Sequence, residues 1–113
     1  MLNKHLKFSH GYDKLRNDEY STIRGKSKAM NYHTGQIVGA HCHNEFLHDA
    51  KITMIALMKI REIPLKVLKQ DIAPFKMRTK TDFIKFLNTF RRFNKLKSVE
   101  DEVSLFILEK VKN

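Results

Sequence analysis

Cysteine, tryptophan, proline and glycine are all scarce in this chain: one, none, two and four of 113 residues. The lone Cys42 can form no internal disulfide, and nothing in the cysteine usage points to an oxidising compartment. No apolar run approaches the roughly 18 residues needed to cross a bilayer. The opening residues Met1, Asn3, Lys4, His5 and Lys7 lead into no signal-like apolar stretch, so a cytoplasmic protein without a membrane partner is expected. Neither an internal repeat nor a low-complexity segment is present. Acidic residues are also few, 12 against 22 Lys and Arg, giving a formal charge of +10. A field of that sign attracts nucleic acid, anionic surfaces or acidic proteins without choosing among them.

What is present fits a single domain, residues 1–113: 42% of the residues are hydrophobic, enough for one core and not two. Leu2, Leu6 and Phe8 fall on even positions and predict a first strand. Tyr12 to Asn17 is a short helical turn. Ser21 to Gly25 reads as a strand, 26–31 as a polar, basic surface loop, and Gln36 to Cys42 as another strand followed by a turn at Asn44-Glu45. His48 to Ile63 reads as one long strand or two. Ile52, Met54, Met58 and Ile60 share one parity and Ile55, Leu57 and Ile63 the other, which predicts burial on both faces.

Pro64 suits the first turn of a helix continued by Leu65, Leu68 and Ile72, and Pro74 ends it. Thr79 and Asp82 form a capping-box pattern before a helix whose stripe is Phe83, Phe86, Leu87 and Phe90. Val103 to Val111 is a closing strand rich in β-branched and aromatic residues.

The most informative stretch is Ser21-Thr22-Ile23-Arg24-Gly25, followed by Tyr32-His33-Thr34-Gly35-Gln36-Ile37-Val38. Alternation places Thr22 and Arg24 on one face of a strand and Ile23 on the other, so a hydroxyl and a guanidinium project together. Gly35 offers a position where positive φ is tolerated. Arg24 can pair with phosphate oxygens through its planar fork while Thr22 supplies one hydrogen bond beside it. Lys14, Lys26 and Lys28 would rim a cleft floored by Thr22 and Arg24, and Tyr12, Tyr20 and Tyr32 are available for base stacking. A second basic surface comprises Lys85, Arg91, Arg92, Lys95 and Lys97. His41-Cys42-His43 with His33 and His48 invites a metal reading, but on a strand Cys42 points away from His41 and His43. No metal or cofactor is expected.

The order of these segments resembles the ASCH domain of the PUA-like superfamily over nearly the whole chain. The residues that carry the resemblance begin with Tyr12 and Leu15, Ser21-Thr22-Ile23-Arg24, Tyr32 with Gly35, and Ile37-Val38. They continue with Phe46, Ala50-Lys51-Ile52, Lys59 to Ile63 and Thr81 to Leu87. The resemblance implies an α+β fold: a small open β-barrel with helices packed at its ends and a cleft along one side. It also implies RNA binding, or in some bacterial members hydrolysis of acetylated cytidine or cleavage of RNA.

The amidohydrolase branch carries a lysine three residues before the strand threonine, where this chain has Glu19. A hydroxyl such as that of Thr22 needs a base or a lowered pKa to attack at neutral pH. A binding module for nucleic acid, RNA favoured over DNA, is therefore the first expectation. A small hydrolase using Thr22 with a carboxylate from Glu19, Glu62 or Asp71 is the second. Glu62 stands between Ile60 and Ile63, a context that would raise its pKa. The same charge also admits an acidic protein partner.

Overall fold

A computed structural model of the chain describes residues 4–89 and 96–112. Its elements are β1 (Lys4–Phe8), β2 (Glu19–Arg24), β3 (Ile37–Cys42), β4 (Glu45–Lys59), α1 (Leu65–Ile72), α2 (Lys80–Leu87) and β5 (Glu102–Lys110). Short 3₁₀ turns occupy Asp13–Arg16, Lys26–Asn31 and Ile60–Glu62. The strands form a five-stranded sheet in the order β1-β3-β4-β5-β2. β1 pairs with β3 in parallel, and the other ladders are antiparallel.

The fold is α+β, as expected, and among the described residues no ladder joins β1 to β2, so the five-stranded sheet is not closed into a barrel. It curls far enough for the two outer strands to meet through side chains. Arg24 Nη1 on β2 donates to the Lys7 carbonyl on β1 at 2.8 Å, and the Phe8 and Tyr20 rings lie 6.2 Å apart. The curl wraps one face around a core that includes Leu6, Phe8, Val38, Ile52, Phe106 and Leu108, all buried.

The long strand differs from its sequence pattern. Ile52 pairs with Leu108 and Met54 with Ile107, so Thr53 is the extra residue of a β-bulge. The bulge reverses the parity beyond it, leaving Met54 exposed while Ile52 is fully buried; Leu57, on the opposite parity from Met54, is exposed as well. Two-sided burial belongs instead to β5, where Val103 and Leu105 on one parity and Ser104, Phe106 and Leu108 on the other are all buried. The turn before β4 is His43-Asn44, not Asn44-Glu45. Both residues have positive φ, 52° and 67°, as a two-residue hairpin turn requires.

Local signals in the helices hold well. Pro64 stands at the N-cap of α1, which ends at Ile72 before the Ala73–Pro74 peptide. In α2 the Thr79 hydroxyl accepts the Asp82 N–H while the Asp82 carboxylate accepts the Thr79 N–H, at 3.3 and 3.0 Å. Phe83, Ile84 and Leu87 are buried beneath it. Phe90, at the end of the expected stripe, lies outside the described residues. No helix among the described residues is long and apolar enough to cross a membrane.

Candidate anion-binding cleft

The strand β2 ends at Arg24, and the chain then leaves the sheet at Gly25 and folds the basic segment Lys26–Asn31 back across β5. One buried hydroxyl fixes that lip. Ser104 Oγ accepts the Ala29 N–H at 3.1 Å and lies 3.0 and 2.9 Å from the carbonyls of Gly25 and Lys26, which share its proton. Tyr32 closes the segment, packed edge-on against Phe106 at 5.6 Å and donating to the His5 carbonyl at 3.3 Å.

Between this lip, β1 and the residues leading into β5 lies a cleft of about 790 Å³. Six cationic side chains line it: Lys7, Arg24, Lys26, Lys28, Lys59 and Lys97. Its far wall carries Glu100, Asp101 and Glu102. These acids are engaged: Glu102 pairs with Lys26 at 3.1 Å, and Glu100 with Lys59 at 3.4 Å and Arg61 at 3.0 Å. Asp101 accepts the Lys97 and Ser98 N–H groups, which hold its carboxyl below the ordinary range. Among the described residues Lys28 pairs with no carboxylate.

Arg24 also borders a second, small cavity of about 30 Å³, room for one water, which is lined by Thr22, Tyr12, Lys14 and Asp71 among others. Its guanidinium lies over the Phe8 ring at 4.7 Å and its Nε donates to Thr22 Oγ1 at 3.1 Å. Lys14 Nζ bonds Asp71 Oδ1 at 2.6 Å, with both residues 5% exposed. Burial lowers the Lys14 pKa; the Asp71 charge and hydrogen bond oppose that, and Arg24 adds to it. Farther along the same face Tyr20 bonds His48 Nε2 at 2.8 Å. Burial raises the Tyr20 phenol above its ordinary range, against the pull of Arg24. His48 is pushed down by burial and by Lys110, against Asp49. The pair is therefore a neutral phenol hydrogen-bonded to a neutral imidazole.

The residues singled out from the sequence thus divide. Arg24, Lys26, Lys28 and Tyr32 come together in the large cleft, whereas Thr22, Tyr12 and Lys14 are buried around the small cavity. Thr22 and Arg24 do share a face, yet Thr22 is only 3% exposed and is Arg24's support. Tyr20 is likewise buried. The apolar setting expected for Glu62 is corrected: the residue is exposed and its carboxylate accepts the Lys59 N–H at 2.9 Å. Glu19 is exposed on β2, and Lys85 is exposed on α2. Arg91, Arg92 and Lys95 lie outside the described residues. His41 meets His5, with ring nitrogens 2.8 Å apart, while Cys42 is buried.

Lys7 and Lys59, which line the cleft, and Ser104, which holds its lip, are not revealed by local pattern, and Lys97, read from the sequence as part of the second basic surface, lines the cleft instead. Only Ser104 leaves a trace, as the one polar residue in the apolar run from Val103 to Leu108.

No protein-family model matches the chain, and no solved structure matches it. An uncharacterized protein of Methanocaldococcus jannaschii, MJ0364, is 35% identical over 111 residues, spanning 94% of this chain and 95% of that protein. At that identity, over almost the full length of both, the chain belongs to the same family as MJ0364.

Proposed function

We propose that this protein is a nucleic-acid-binding module of the ASCH, PUA-like type, acting on RNA in the cytoplasm. The observation that carries the reading is the cleft, in which four separate parts of the chain deliver six cations around one volume. Its 790 Å³ lies within the roughly 300–1,000 Å³ of small-ligand sites, suiting one or two nucleotides of a single strand. Arg24 is oriented by Thr22 and Phe8, Lys28 is unencumbered, and Tyr32 offers an aromatic wall. The resemblance to ASCH domains favours RNA over DNA.

Binding of a short single-stranded RNA should weaken with salt, with a log–log slope of about 0.7 per phosphate neutralised. A salt-independent affinity sinks the reading. If instead an acidic protein binds the cleft and RNA does not, the same charge serves a different partner.

The convergence of Thr22, Lys14 and Asp71 on one cavity is the observation that favours a second reading, a hydrolase acting on a modified nucleoside. The cavity admits a water but no nucleoside, so this chemistry requires Arg24 to move aside. A Thr22→Ala variant that keeps full turnover of such a substrate would eliminate it.

A further inference from the structure

We propose that Phe75 and His10 form a base-stacking platform, a second subsite for a single strand whose phosphates occupy the cleft; the inference rests on the nucleic-acid reading above. Phe75 is 41% exposed although its ring sits in an aromatic cluster, 4.9 Å from His10, 5.2 Å from Phe86 and 6.0 Å from Tyr12. Tyr12 belongs to the buried core, and Phe86 packs against it. The cluster therefore fixes the Phe75 ring without covering it, and its neighbours Lys76 and Arg78 are exposed cations. A rigid, accessible aromatic ring beside positive charge is what an unstacked base meets in sequence-tolerant single-strand sites.

The platform adjoins the cleft across the small cavity: Arg24 borders both the cleft and that cavity, and Phe86, on the cavity's other side, lies 5.2 Å from Phe75. Phe8, Lys14 and Tyr12 lie buried beneath this path and support it. A strand passing over the cavity would place phosphates at Arg24 and Lys28 and a base on Phe75. Charge selects the occupant: an apolar peptide would leave the exposed cations Lys28, Lys76 and Arg78 without a counter-charge, while a single strand satisfies both ring and cations.

The chain contains no tryptophan, so Phe75→Trp supplies a single indole reporter at the platform. Titration of that variant with a uridine oligonucleotide of about ten residues should quench the indole, and inorganic polyphosphate, which carries charge without bases, should not. In the same assay Phe75→Leu should weaken the oligonucleotide about tenfold and leave polyphosphate unchanged, while Phe75→Tyr retains wild-type affinity. Lys28→Ala should weaken both probes. Oligonucleotide binding that persists unchanged in Phe75→Leu, with the indole unquenched, removes the platform and leaves the cleft standing. Failure of wild-type protein to bind either probe removes both.

Discussion

Removing a lysine and a carboxylate from water costs several kcal/mol per ion, and only close, well-oriented contact offsets it. Lys14 and Asp71 meet that demand at 2.6 Å, with the amine further set against the Phe8 and Tyr12 rings. Breaking such a pair from one side is worse than deleting it. Asp71→Ala should cost about 3–5 kcal/mol in urea unfolding, and the double variant Lys14→Met with Asp71→Leu should recover most of that loss. The pH dependence of the single variant has a definite sign. Without Asp71 the two contributions that raise the Lys14 pKa vanish, leaving it further below its ordinary 10.5. Between the folded and unfolded values the unfolded chain then holds more protons, so stability must rise with pH. The deficit of Asp71→Ala should shrink as pH is raised toward 10.5, whereas the double variant, lacking the amine, should show no such recovery.

At the scale of elements, α2 is fastened at its start by reciprocal bonds between Thr79 and Asp82. Thr79→Ala should destabilise by about 1 kcal/mol, the usual loss for an N-cap hydroxyl. The Arg78 and Thr79 N–H groups lower the Asp82 pKa below its ordinary 3.8. A carboxylate depressed in the folded state stabilises above its unfolded pKa and stops doing so as pH falls through the folded value. Thermal midpoints measured from about pH 5 downward should therefore fall less steeply for Asp82→Asn than for wild type. This cap was legible in the sequence because its partners stand three residues apart, and the same locality exposed Pro64 before α1 and the Phe83 stripe. The bulge at Thr53 was not legible. Alternation continues through Ile52 and Met54 in the sequence, and only the register against β5 shows that one residue has been skipped. Lys14 misled for a related reason: a lysine reads as surface until Asp71, 57 residues away, is brought beside it.

For the molecule as a whole, the sheet brings its first two strands together without pairing their backbones, and Arg24 spans the gap by donating to the Lys7 carbonyl. The sequence disclosed the local part of the cleft, Arg24, Lys26 and Lys28, because one strand end and its turn carry all three. Lys7, Lys59 and Lys97 join them only when the sheet curls, and Ser104 holds the lip across 79 residues. Arg24 consequently serves the architecture and, under the proposed function, the anion site as well, and the two duties separate by substitution. Arg24→Ala removes a charge-assisted bond of about 1.5–3 kcal/mol, so it should lower the thermal midpoint by several degrees as well as weaken RNA binding. Lys28→Ala, an exposed change, should leave stability within about 0.5 kcal/mol while reducing the salt slope of binding by about 0.7. Thermal unfolding and salt-titrated binding of both variants measure the two duties separately. An Arg24→Ala protein as stable as wild type would mean that core packing such as Phe8 against Tyr20 holds the curl without Arg24.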